Sequence, residues 1–93
     1  MAISFSERVK VAPDVLFRVV GDEGVLVNLN TQKYLGLNAV GTHMWLTLSQ
    51  AASIQAAYEA LLEEYDVAPP RLLADLEEFI GELRSHQLIE TGP

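Results

Sequence analysis

No cysteine occurs anywhere in the chain. That absence removes disulfides, thiolate metal ligands and thiol nucleophiles together, and it suits a reducing compartment. Basic residues are scarce: six Lys and Arg stand against thirteen Asp and Glu, a formal charge of −7. Such a balance repels phosphate backbones and anionic lipid surfaces, so neither nucleic acid nor a membrane is an expected partner. Long apolar runs are missing too. No stretch approaches the roughly 18 residues of a membrane-spanning helix. Met1-Ala2-Ile3-Ser4-Phe5-Ser6-Glu7 lacks the basic start and apolar run of a secretion signal, so a soluble, cytoplasmic protein is expected.

Chemistry-bearing motifs are equally sparse. His43 and His86 have no second His or carboxylate at a chelating spacing on one helical face, and no metal site is expected. His43 reads as a core-edge or surface residue. There is no Gly-x-Ser-x-Gly elbow, and Gly21 to Gly24 is too short for a phosphate loop. The adjacent pairs Glu63-Glu64 and Glu77-Glu78 point about 100° apart on a helix and read as solvated faces. No catalytic residue and no cofactor are expected, and the chain reads as a protein that is not an enzyme.

What is present is core-forming material: 49% hydrophobic and 20% charged residues over 93 positions, enough for one domain spanning residues 1–93. Its ordered core is expected over about 14–90, with a frayed tail from Thr91. Leu16–Val20 and Val25–Leu29 are short runs rich in β-branched types, and Gly21-Asp22-Glu23-Gly24 between them predicts a hairpin. After a turn at Asn30-Thr31-Gln32, a third short strand is expected at Lys33–Leu37. Alternation puts Val25, Val27 and Leu29 on one face. Arg8–Val11 reads as a marginal edge strand ending at Pro13, and Gln87–Glu90 as a short closing strand.

Three helices follow. Asn38 is an N-cap residue before Val40, Met44, Trp45 and Leu48, predicting a helix over 39–49. Ser53 caps a second, which ends near Asp66. Pro69-Pro70 opens a third, running to about Ser85. In it Leu73, Leu76, Ile80 and Leu83 form one seam with Leu72 and Phe79 on its flank, wide enough to serve two surfaces. Gly81 interrupts this helix, and close packing is the reason that suggests itself. The order of elements predicts an α+β fold of winged helix-turn-helix-like character, an N-terminal three-stranded antiparallel sheet followed by three helices.

The run Tyr34-Leu35-Gly36-Leu37-Asn38-Ala39-Val40-Gly41-Thr42-His43-Met44-Trp45 resembles the PqqD-like family, whose members carry a strand, Leu-Asn-x-x-Gly, and a helix with an aliphatic-Trp pair. The likeness continues through Ile54-Gln55-Ala56-Ala57, Leu61-Leu62-Glu63-Glu64-Tyr65-Asp66-Val67, Asp75-Leu76, Leu83 and Leu88-Ile89, covering residues 14 to 90. Lys33 to Asn38 looks most like the small recognition proteins of lasso-peptide clusters. The resemblance implies a precursor recognition element without a cofactor. Its ligand is the leader of a ribosomally made precursor peptide, which adds as a strand beside the third strand and lies against the third helix. Implied partners are a separate leader-cleaving protease and, indirectly, a cyclase. The alternative within the family is a PqqD-type peptide chaperone for a radical SAM enzyme.

The peptide-binding set expected from these readings is Lys33, Tyr34, Leu35, Gly36, Leu37, Leu72, Asp75, Leu76 and Phe79. Several members read two ways. Gly36 either admits a peptide closely or relieves crowding before Asn38. Tyr34 is either a core aromatic or the rim of a groove. Leu72, Leu76 and Phe79 either line pockets or fill the core, and Asp75 and Glu78 either select basic ligand residues or merely face water. A DNA-binding winged helix shares this order of elements, but residues 69–86 hold Arg71 and Arg84 against Asp75, Glu77, Glu78 and Glu82, the wrong charge for a reading helix. A protein-interface module using the same strand edge is the remaining alternative.

Overall fold

A computed structural model describes residues 5–92. Met1 to Ser4 and Pro93, which carry part of the signal-sequence argument and of the expected tail, lie outside the described residues. The elements run β1 (Arg8–Val11), β2 (Val15–Val20), β3 (Glu23–Asn28), β4 (Tyr34–Leu37), α1 (Ala39–Gln50), α2 (Ile54–Glu64), α3 (Pro69–Ser85) and β5 (Ile89–Gly92). β2, β3 and β4 form an antiparallel sheet in that order, so β2 and β4 are its edges. β1 is no edge strand of this sheet. It pairs instead with β5 in a separate two-stranded sheet, Val9 opposite Thr91 and Val11 opposite Ile89, and this buries Val9 and Ile89. The ordered framework therefore starts before Asp14, and Thr91 and Gly92 belong to a strand rather than a frayed tail.

The β2–β3 hairpin is tighter than its glycine cluster predicts. Gly21, with φ of +68°, and Asp22 make a two-residue loop in which only the first position needs positive φ. Gly24 then lies inside β3, where a Cβ would stand 2.7 Å from Phe17 Cε1 and 3.0 Å from Thr42 Oγ1. The Phe17 ring leans on Trp45, with centroids 6.0 Å apart, so it has little room to retreat. Gly24→Ala is accordingly expected to destabilise the domain by about 1–3 kcal/mol. A urea titration checks this, and an unshifted midpoint would mean the ring moves freely.

Val25, Val27 and Leu29 do share a face, and it is the outer one. Leu26, fully buried, points inward with Gly24 and Asn28, on the side where α1 packs against β3 and β4. α1 starts where Asn38 Oδ1 accepts from the Gly41 N–H at 2.8 Å, and α2 where Ser53 Oγ accepts from the Ala56 N–H at 3.1 Å. In α1 the buried positions are Thr42, Met44, Trp45 and Leu48, while Val40 is 51% exposed. The core is completed by Ile54, Ala57 and Leu61 of α2 and by Leu72, Leu76, Ile80 and Leu83 of α3. Leu72 therefore belongs to the seam rather than its flank, and Leu73 is only partly buried. A Cβ on Gly81 would meet nothing within 4 Å, so close packing is not its reason.

α3 ends in a Schellman motif: the Gln87 N–H donates to the Arg84 carbonyl and the Leu88 N–H to the Leu83 carbonyl, both at 3.0 Å. Gln87 occupies the left-handed position, with φ of +58°, where glycine is usual. The closing strand starts at Ile89, two residues later than the expected start at Gln87, because the cap consumes Gln87 and Leu88.

Candidate functional site: the open edge of β4 and the groove beside α3

The hydrogen-bond phase of β4 follows from one contact at its start. The Asn28 N–H donates to the Lys33 carbonyl at 2.9 Å, and the register pairs Leu26 with Leu35 and Gly24 with Leu37. In an antiparallel ladder bonded and non-bonded pairs alternate, so Lys33, Leu35 and Leu37 turn their main-chain groups toward β3. Tyr34 and Gly36 turn theirs outward. β4 is thus an open edge offering two N–H donors and two carbonyl acceptors at alternate residues, the template an extended polypeptide needs.

Side chains on this strand divide in the other direction. Leu35 and Leu37 point into the core, Leu37 nearly fully buried, whereas Tyr34 is 70% exposed. Tyr34 is therefore no core aromatic. Gly36 is surrounded by open space: a Cβ placed there would meet nothing within 4 Å, so the glycine relieves no crowding before Asn38.

The C-terminal end of α3 comes close to the start of this strand. At about 100° per residue, Leu72, Leu76, Ile80 and Leu83 occupy its inward arc, Phe79 sits on the border of that arc, and Asp75, Glu82 and Glu78 follow round the flank. Leu76 is fully buried and Leu72 nearly so, which makes both core residues rather than groove contacts. Phe79 is half-buried and reaches an open groove of about 240 Å³ walled by Asn38 and Val40 on one side and Asp75, Glu78 and Glu82 on the other. A second depression at the opposite end brings Gln32, Lys33 and Tyr34 near Ser85 and His86. The wall around Phe79 is acidic. Arg71 offsets it little, since it stands 4.0 Å from Asp75 in an exposed pair.

Of the nine predicted residues, Asp75 and Phe79 line this groove and Lys33 and Tyr34 the second depression, whereas Gly36 and Leu37 line a separate depression with Val20, Val25 and Asn38. Leu35 contributes only through its place in the strand. Val40, Glu82, Ser85 and His86 line these depressions without having been expected there. Val40 has the spacing of a core residue, and only its exposure in the folded chain distinguishes it. His43 lies outside the groove, its Nε2 2.5 Å from Glu64 Oε2 and its ring edge-on to Tyr65. Among the described residues no group of three or more His, Cys, Asp or Glu is arranged to hold a metal ion, and no helix is long and apolar enough to cross a membrane.

These features define a small α+β domain with a three-stranded antiparallel sheet, three helices and one strand edge left open beside a helix. Residues 23–89 match the family of coenzyme PQQ synthesis protein D (PqqD), and the chain belongs to that family. Its members are generally non-catalytic binding modules. The chain is similar to a solved structure described as TbiB1 in complex with the TbiA(beta) leader peptide, with 33% sequence identity, a TM-score of 0.80, and coverage of 87% of this chain and 94% of that one. Comparison with curated proteins finds no match.

Proposed function

We propose that this protein binds the leader region of a ribosomally synthesised precursor peptide, by strand addition to β4 with leader side chains seated in the groove against α3, and presents it to maturation enzymes. The observation that carries the reading is the outward main chain of Tyr34 and Gly36 on an edge strand that leads into Asn38, which lines the groove reached by Phe79. The leader-bound state of the similar TbiB1 structure supports it. Four edge hydrogen bonds at about 1 kcal/mol each and an aromatic anchor at about 2 sum to about 6, short of the roughly 8 kcal/mol of micromolar binding before the leader is ordered, so further leader side-chain contacts must supply the rest. The acidic wall of Asp75, Glu78 and Glu82 favours basic leader residues near Phe79.

The pathway is the finer part of the proposal. The run Lys33 to Asn38 resembles the recognition proteins of lasso-peptide clusters, which points to a separate leader-cleaving protease as direct partner and a cyclase further on. A peptide chaperone for a radical SAM enzyme is the competing assignment. Faster precursor cleavage by the neighbouring protease when this protein is added supports the former; an effect on a radical SAM enzyme alone supports the latter.

The binding step is tested by fluorescence anisotropy, titrating a labelled leader, made from the precursor gene nearest this protein's gene, into wild type and Phe79→Asp. Wild type is expected to saturate at or below micromolar concentration. The variant is expected to weaken binding by about 30-fold or more, since the aromatic anchor is lost. Circular dichroism verifies its fold. Equal binding by the two would move the site off α3, and no binding by wild type would favour an interface module.

A further inference from the structure

Asn28, at the end of β3, is one of two buried polar residues among those described, and it is 4% exposed. Burying a carboxamide costs stability unless each end is bonded, and here both are. Oδ1 accepts from the Asn30 and Thr31 N–H groups at 2.9 and 3.1 Å, and Nδ2 donates to the Gln87 carbonyl at 2.6 Å across 59 residues of chain. Two N–H donors on one atom fix the amide orientation, so the nitrogen is the end that faces Gln87. The first pair of bonds shapes the turn into β4. The last one holds the carbonyl of the residue that caps α3.

Asn28 also closes the hairpin through its own main chain, its N–H donating to the Lys33 carbonyl and its carbonyl accepting from the Gln32 N–H at 2.7 Å. One residue thus grips the start of β4 and the end of α3, the two walls of the groove. Among the described residues no other side-chain hydrogen bond joins the three-stranded sheet to α3. The cap it holds is itself stiff, because both Schellman bonds are made.

We propose that Asn28 is a positioning residue that sets the distance between β4 and the C-terminal end of α3, and through it the affinity for an extended peptide. This rests on the strand-addition reading above. A guest strand needs about 4.8 Å beside β4 and further room for its side chains before α3, and a groove held open at that width spares the ligand the cost of resetting it.

The experiment uses Asn28→Asp, which keeps the acceptor for the turn but has no donor for Gln87, and the milder Asn28→Ser. Ile54→Val, in the buried face of α2, is the stability control, and Gln87→Gly, which retains the carbonyl, is the control for the cap. Spin labels on cysteines introduced at Gln32 and Ser85 report the distance directly, in a chain with no native cysteine to interfere. Both Asn28 variants are expected to broaden the label distance and to lower affinity for the same labelled leader by about tenfold or more. Ile54→Val and Gln87→Gly keep wild-type distance and affinity. Unchanged distance and affinity in folded Asn28 variants would overturn the proposal, as would an equal affinity loss in Ile54→Val. If wild type binds no leader, the functional reading fails by itself, and an unbroadened label distance is then what rejects the role of Asn28 in spacing the walls.

Discussion

Gly36→Pro is expected to leave the domain folded while weakening leader binding by about 30-fold or more. The main chain of Gly36 faces away from β3, so the substitution removes no hydrogen bond of the sheet. Proline is tolerated on an edge strand when its missing N–H would have faced solvent, and Leu35 before it is already extended. No atom lies within 4 Å of the space a Cβ would take. For an incoming strand the same change deletes a donor and sets a ring against the edge. The deleted bond costs about 1 kcal/mol, and the displaced neighbouring bonds about as much again or more, which together come to about 30-fold or more in affinity. Thermal melting and leader anisotropy on one preparation check both halves. A folded variant that binds like wild type would place the leader elsewhere than on β4.

Leu76→Ala should act on the other term, lowering stability by about 3 kcal/mol with little change in the affinity of the folded fraction. Leu76 has no exposure and is surrounded by the core cluster, so truncation leaves a cavity that the packed α1 and α2 close only in part. In a domain of this size, that corresponds to a fall in Tm of about 12–24 °C. Phe79, almost one turn further on, shows the reverse balance because it stands at the border of the buried arc. Should Leu76→Ala keep its Tm and lose the leader, the buried arc would have to open on binding.

The contrast between these neighbours marks what periodicity can resolve. A 3.6-residue repeat shows that α3 has a wide apolar face, but Leu72, Leu76 and Phe79 all fit it. Leu72 and Leu76 are enclosed by the core, whereas Phe79 meets a gap, and no local pattern encodes where the neighbours stop. The same holds for Val25, Val27 and Leu29, whose common face was legible and whose outward direction was not, since Leu26 between them is equally apolar. β1 and β5 illustrate the long-range case: each is four residues long and marginal alone, and their pairing depends on α3 ending where Gln87 turns the chain back.

Local chemistry carried the rest. Asn38 and Ser53 as helix caps, a turn within Gly21 to Gly24, Pro69 at a helix start and the β-branched runs are each decided within a few residues, and so the order of strands and helices, and with it the α+β class, was already written in the sequence. The charge of −7 and the lack of cysteine were as well. Which of the two strand edges comes close to α3, which face of α3 borders the groove, and the buried bond from Asn28 to Gln87 were decided only by tertiary structure, because each depends on two segments far apart in the chain arriving side by side.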